Sequence, residues 1–383
     1  MLKKLFKPKF AKFDKKYTTL SAHDESIMQM VVADITDYVK KSKKINNLDH
    51  HTRAVHAKGY CALKAKFEIL DNLPEAYAQG LYAKAGTHDA VIRFSNAQGN
   101  IAPDRRLGMG IGLAFKIFDV PGKKLTPDDP DCTTFDYALV NSPIFFTNSV
   151  EDYAYLSKLV FGVNEYLGNN NLGLLKFGFH WLTKYGKELP DLQGLQTLNA
   201  FRKIATVKPK NPWLYDYFSQ GVVRHGDYMG KIRITPTKSA KQKIKQPKIH
   251  LFTKDEAIRP VLLDEIRTHD YEYDVQIQLC RNVKKQPIEK ITQEWDESKA
   301  PFVTIGKLTI PKQEVTDDGN FAAMEHLSFS VFRALEENRP IGRIQQSRLQ
   351  AYRTSSKVRH EQNAVQRREP ASLAQVFDTS AFV

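Results

Sequence analysis

Arg348, Tyr352 and Arg359 stand at i, i+4 and i+11 in the stretch Ser347-Arg348-Leu349-Gln350-Ala351-Tyr352 and its continuation to Arg359. On a helix of about 3.6 residues per turn those spacings share one face, so two guanidinium groups flank one phenol. A permanent cation one turn away favours the ionised form of a phenol. A phenolate is a hard, anionic ligand suited to ferric iron. Taken alone, R-x-x-x-Y is better explained by an amphipathic helix that packs its Tyr and solvates its Arg residues. The first third of the chain shifts that balance.

Thr52-Arg53-Ala54-Val55-His56-Ala57-Lys58-Gly59 is followed by Ile92-Arg93-Phe94-Ser95, by Gly112-Leu113-Ala114-Phe115-Lys116-Ile117, and by Asn141-Ser142-Pro143-Ile144-Phe145-Phe146. Closed by Arg348-Leu349-Gln350-Ala351-Tyr352 and Arg359, this ordered series resembles the haem catalases from about Arg53 to about His360. The resemblance implies an α+β fold: an eight-stranded antiparallel β-barrel with surrounding helices that buries one haem b.

By the same resemblance Tyr352 is the metal ligand, a tyrosinate on ferric iron, with Arg348 balancing its charge. His56 is the distal acid–base residue, Ser95 orients it, and Arg53, Arg93 and Arg359 hold the haem propionates. Three guanidiniums around two carboxylates is sound chemistry, because Arg binds carboxylate bidentately and stays charged when buried. Catalases carry two Asn residues before Thr-Pro where this chain has one; Asn141 fills the distal hydrogen-bonding role if the turn is one residue shorter. Tyr153 falls where catalases place an aromatic ring against the haem, and a plain core Tyr is the alternative there.

The implied activity is decomposition or reduction of hydrogen peroxide or organic hydroperoxides through a ferryl intermediate, with His56 moving a proton between the peroxide oxygens. An organic electron donor is a further expected partner. Two other readings stay open. Fatty-acid hydroperoxide rearranging enzymes resembling the allene oxide synthases carry Thr before the distal His, where this chain has Val55. A haem carrier without turnover needs only one of the two faces, whereas both the His–Ser and the Arg–Tyr pairs are present. Only about thirty residues follow Tyr352. The helical domain with which some large catalases hold NADPH is therefore expected to be absent, and NADPH with it. A minimal core of this kind is expected to favour organic hydroperoxides and to form a homo-oligomer.

A chain of 383 residues, 42% hydrophobic and 11% aromatic, can bury a large core. Its 57 Lys and Arg against 43 Asp and Glu give a net charge of +14, which favours anionic partners. No zinc-finger, RNA-recognition or helix-turn-helix pattern stands out, so nucleic acid is not expected. Cys61, Cys132 and Cys280 are too few and too scattered for a disulfide framework or a structural zinc site. The N-terminus lacks a continuous apolar h-region, and no stretch reaches the roughly 20 apolar residues of a membrane span. A cytoplasmic location is the expectation.

Residues 1–17 set Leu and Phe against seven Lys, the pattern of a cationic interfacial helix or of a disordered basic arm, with Pro8 against the helix. The first of these would bring peripheral contact with an anionic membrane. Apolar spacing predicts a helix over 21–41, alternation predicts a short strand over 54–59, and broad apolar faces predict packing helices within 150–210. Strands are predicted at 228–235, 271–280 and 303–310, with a solvated Lys-rich loop at 238–254. The organisation expected is a basic arm and helix (1–49), a barrel core (50–345) with a helical insertion at about 150–225, and a proximal helix with a short tail (346–383).

Overall fold

Alternation of apolar and charged side chains builds the sheet. The first strand, β1 (Gly59–Ile69), turns Leu63, Ala65, Phe67 and Ile69 inward and Lys64, Lys66 and Glu68 outward, the period of two that a pleated strand imposes. The computed structural model describes residues 10–378 apart from 162–165, 167–170, 185 and 252–254. The other strands are β2 (Gly86–Asn96), β3 (Ile111–Ile117), β4 (Phe135–Val140), β5 (Tyr217–Phe218), β6 (Val222–His225), β7 (Tyr228–Pro236), β8 (Tyr271–Leu279), β9 (Val303–Ile310) and β10 (Pro340–Ile341).

Every pairing is antiparallel. Strands β7, β5, β4, β3, β2, β1, β9 and β8 lie side by side, and β8 pairs back onto β7 from Leu279 opposite Gly230 to Tyr273 opposite Pro236. The sheet is thus an eight-stranded closed barrel, as the resemblance implied, and closure removes its edges. Strands β6 and β10 extend it beside β7. Aromatic side chains such as Phe67, Phe94, Phe115, Tyr217 and Tyr273 fill the interior, and Trp213 stacks on Tyr271 at 4.4 Å between centroids.

The principal helices are α1 (Ala22–Asn46), α2 (Val150–Phe161), α3 (Asn171–Thr183), α4 (Leu192–Ala205), α5 (Ile258–Thr268), α6 (Asp317–His326) and α7 (Arg343–Gln362). A capping box between Ser21 and Asp24 starts α1. Its stripe of Met28, Val31, Ile35 and Val39 joins Ile344, Ala351 and Val358 of α7 in one buried cluster. That cluster fixes the rotation of α7, and hence the direction of Arg348, Tyr352 and Arg359. Among the described residues no helix is long and apolar enough to cross a membrane.

Three expectations are corrected. Residues 54–58 are a bend and the strand begins at Gly59; His56 adopts φ +56°, a left-handed conformation that an alternating strand does not contain. The Lys-rich loop is interrupted by a short helix at Lys238–Lys243, and Ile249 and Leu251 are buried in the barrel core. From Phe10 to Asp14 the basic arm is extended, and Lys15–Thr18 forms one turn of 3-10 helix, so it is not a continuous amphipathic helix: Ala11 N–H donates to Cys280 O and Phe13 N–H to Asp227 O, both at 2.8 Å. Lys12 pairs with Asp227 at 2.8 Å. Residues 1–9, which hold most of the predicted interfacial pattern, lie outside the described residues.

Candidate active site

The outer face of three adjacent strands forms the floor of a cavity. In β2, Ile92 and Phe94 enter the barrel core, so Arg93 and Ser95 point out. Register places Arg93 opposite Ala114 and Ser95 opposite Gly112 on β3, and Ala114 opposite Ala138 on β4. Gly112, Ala114 and Ala138 therefore make a flat patch with almost no side chain. A Cβ at Gly112 would overlap the His56 ring. Only glycine leaves room for His56 where it stands.

His56 and Ser95 meet there. Ser95 Oγ lies 3.0 Å from His56 Nδ1, which leaves Nε2 as the second ring nitrogen. Burial pushes the imidazole down to about 3, and the guanidiniums of Arg93, Arg348 and Arg53 add to the shift. The ring is thus neutral at neutral pH, a weak base with one ring nitrogen free of a proton. The bend that carries it is held by Arg93, whose Nη2 donates to His56 O at 3.0 Å.

The opposite wall is α7. Arg348 Nη2 donates to Tyr352 Oη at 2.6 Å, and its Nη1 donates to Gln345 Oε1 at 2.7 Å. Ala351, Tyr352, Ser355 and Arg359 face the same cavity as His56, and Ile35 of α1 closes its side. Tyr153 of α2 also lines it, in contact with Phe145 and Phe146; burial pushes its phenol up to about 12.

At one end lie three guanidiniums and one carboxylate. Arg53 Nη2 donates to the carbonyls of Met324 (2.7 Å), Glu325 (3.1 Å) and Leu327 (2.6 Å), satisfying groups that the end of α6 leaves unpaired. Arg93 Nε donates to Met324 O at 3.2 Å, and Arg359 Nη1 to Glu325 O. Glu325 pairs with Arg53 at 3.4 Å and with Arg93 at 4.0 Å. Burial raises the Glu325 carboxyl, but Arg53, Arg93 and Arg359 outweigh it and hold the group below its ordinary range. Burial lowers Arg93 to about 9, and it lowers Arg359 well below the ordinary arginine value. Among the described residues three cations face one anion here, and Arg359 Nε is buried without a hydrogen-bond partner. The cluster has unmet demand for anionic oxygen.

Arg53, His56, Arg93, Ser95, Tyr153, Tyr352 and Arg359 therefore converge on one cavity, and Arg348 reaches it through its hydrogen bond to Tyr352. Asn141 does not join them. Its Oδ1 accepts from Ile111 N–H at 2.9 Å and its Nδ2 donates to Met109 O at 2.7 Å, so its amide ties β4 to the loop before β3. The distal hydrogen-bonding role expected of it is not supported by this placement. Sequence reasoning missed Glu325 and the small residues of the floor. The signal for Glu325 was the surplus of Arg, which requires a counter-ion; for Gly112, Ala114 and Ala138 it was small size repeated on one strand face.

A wider cleft of about 890 Å³ runs along α7 and shares Ser328, Phe329, Tyr352 and Ser356 with the cavity. Among the described residues no three His, Cys, Asp or Glu side chains gather to hold a bare metal ion.

No family model and no curated protein matches the sequence. Solved structures do match in fold. A fungal catalase aligns with a TM-score of 0.59 at 14% identity, covering 94% of this chain and 66% of that chain. Catalase A from Saccharomyces cerevisiae gives 0.59 at 16%, covering 94% and 70%. A bacterial catalase gives 0.55 at 15%, covering 84% and 60%. This chain thus spans roughly two thirds of the length of those proteins, and at such identities the likeness is one of fold: the barrel is catalase-like.

Proposed function

We propose that this chain is a haem-dependent enzyme that decomposes or reduces peroxides. The observation that carries the proposal is the convergence on one cavity of the His56–Ser95 pair, the Arg348–Tyr352 pair and a cluster of Arg53, Arg93 and Arg359 with too few anions of its own.

The residues fit ferric haem b in charge and in donor chemistry. A dianionic edge would meet Arg359 Nε and the surplus guanidinium charge, and the bare floor at Ala114 and Ala138, beside the His56 ring over Gly112, suits a flat ring. Tyr352 would ligate the iron, Arg53, Arg93 and Arg359 would hold the propionates, and Tyr153 would contact the ring. The free space at the centre of the cavity is about 130 Å³, small for a tetrapyrrole, so side chains of α7 or residues 328–329 must yield when it enters. Bound haem would supply the electron-transfer chemistry that cleaves a peroxide O–O bond.

The chain's own part is positioning and proton transfer. His56 is neutral, so its Nε2 can take the proton from one peroxide oxygen and return it to the other, while Ser95 holds the ring in register. Arg348 can only donate, so it fixes Tyr352 Oη as an acceptor and supplies the compensating charge. Ile35, Val55 and Phe329 give the cavity apolar walls that suit an alkyl hydroperoxide, and the cleft beside α7 offers an organic electron donor a route toward Tyr352.

Steady-state turnover tests the proposal. Haem-loaded protein is expected to consume cumene hydroperoxide in the presence of an organic donor, faster than it releases oxygen from hydrogen peroxide alone. Oxygen release with no organic turnover would overturn the substrate preference, and turnover of neither would overturn the activity.

A further inference from the structure

The two helices beside α2 carry a surface that nothing in the peroxide reading uses. On α3, Leu172, Leu175 and Phe179 recur at i, i+3 and i+7, which is one face of the helix. Leu192 and Leu195 repeat the i, i+3 spacing on α4, and Leu189 stands just before it. All six are open to solvent, from 53% for Leu195 to 88% for Leu189. The opposite faces are fully engaged. Trp181 packs on Phe201 at 4.7 Å, Trp181 Nε1 donates to Thr197 Oγ1 at 3.0 Å, and Phe177 is buried in the same cluster. Two amphipathic helices are therefore fastened by their inner sides while their outer leucines stay bare. Exposed apolar surface on this scale marks a contact with another phase or molecule.

Its surroundings are basic. Residues 171–210 hold seven Lys and Arg against two acidic residues, within a chain of net charge +14. Lys176 and Lys187 are exposed beside the apolar stripe, and Arg202 and Lys203 stand exposed toward the end of α4. Leu and Phe side chains flanked by long cationic ones that keep their charge in water are the composition of an interfacial membrane anchor. A second copy of the chain is disfavoured on the same ground. A two-fold contact lays a patch against itself, which would press the two basic surroundings together.

We propose that the outer face of α3 and α4 docks on an anionic lipid surface. This anchor is distinct from the basic arm, whose residues from Phe10 onward are pinned to the barrel. The cluster behind it leads back to the cavity, since Phe146 lies 5.9 Å from Trp181 and 6.3 Å from Tyr153, measured between ring centroids.

Sedimentation of the full chain with vesicles of phosphatidylglycerol and phosphatidylcholine in equal parts tests the proposal without any peroxide assay. Its failure is therefore distinguishable from failure of the enzymatic reading. The unaltered protein is expected to sediment with these vesicles at low salt and not with phosphatidylcholine alone. Leu175→Ser with Phe179→Ser should weaken that binding by about tenfold or more, from the apolar area no longer inserted. A second variant, Lys176→Glu, leaves the apolar face intact and should weaken binding to the anionic vesicles alone. Equal binding of all three proteins would overturn the proposal and return the interaction to the arm. It would likewise be overturned by a parent dimer that the double substitution converts to monomer, with no vesicle binding by the parent.

Discussion

Arg348 Nη2 stands 2.6 Å from Tyr352 Oη, one helical turn away on α7, and a guanidinium can only donate. The phenol oxygen is thereby held as an acceptor that faces the cavity shared with His56. Outer residues of this kind orient a ligand and tune it, and their loss typically costs about 10- to 100-fold in affinity or activity. Arg348→Gln is therefore expected to leave a folded protein that binds haem roughly 10- to 100-fold more weakly, read by titration of the cofactor-free protein. Unchanged affinity and an unchanged spectrum would contradict the role.

His56 is expected to act on protons and not on iron. His56→Ala should keep the bound cofactor and its ferric spectrum while slowing the reaction with peroxide by a factor on the order of 10²–10⁴, measured by rapid mixing. Ser95→Ala should give a smaller loss in the same direction, because the ring stays but its Nδ1 partner is gone. An undiminished rate in His56→Ala would remove that residue from the mechanism.

Glu325 gives a test of the anion demand that separates the loaded from the empty protein. Without cofactor it is the carboxylate paired with both Arg53 and Arg93, so Glu325→Gln leaves buried guanidinium charge uncompensated. Breaking such a pair costs about 3–5 kcal/mol. With haem present its carboxylates would share the load, so the fall in Tm should be larger for the empty protein than for the loaded one. Equal falls in both forms would argue that no second anion enters the cluster.

Buried histidines set an acid limit on stability, and besides His56 two of them lie outside the proposed proton chemistry. Burial lowers His225 and His360 to about 4 each, with Arg359 adding to the effect on His360, against an ordinary value near 6.5. Between about 4 and 6.5 the unfolded chain binds more protons than the folded one, so stability rises with pH through this window and is lost as pH falls. The two together contribute on the order of a few kcal/mol. Urea unfolding from pH 7 to pH 4 should show this decline, and it should shrink in His225→Gln. A flat profile would contradict the neutral, buried state of the rings.

Several barrel strands were legible in the sequence because they bury one face, whereas the closed eight-stranded barrel was implied only by the resemblance to catalases. Alternation in 271–280 and 303–310 marks β8 and β9 closely, since a shift by one residue would turn the whole apolar set to solvent. The Arg348–Tyr352 contact was legible for a similar reason, a four-residue spacing on a helix that itself is amphipathic. Around His56 the same logic misled. Ala54-Val55-His56-Ala57-Lys58-Gly59 alternates like a strand, yet its left-handed bend follows from packing of the ring over Gly112, a contact more than fifty residues away. Asn141 failed likewise, because its neighbours in sequence do not reveal that the backbone at Met109 and Ile111 takes up its amide. Ile249 and Leu251 were hidden by the lysines around them, since composition averages over single buried positions.

The central claim is that Tyr352 binds haem iron, and absorption spectroscopy of the protein mixed with ferric haem tests it most directly. The unaltered chain is expected to give a high-spin ferric Soret band free of thiolate features, and Tyr352→Phe to lose that band or shift it. A Tyr352→Phe spectrum identical to that of the unaltered protein, or no Soret band in either, would contradict the account.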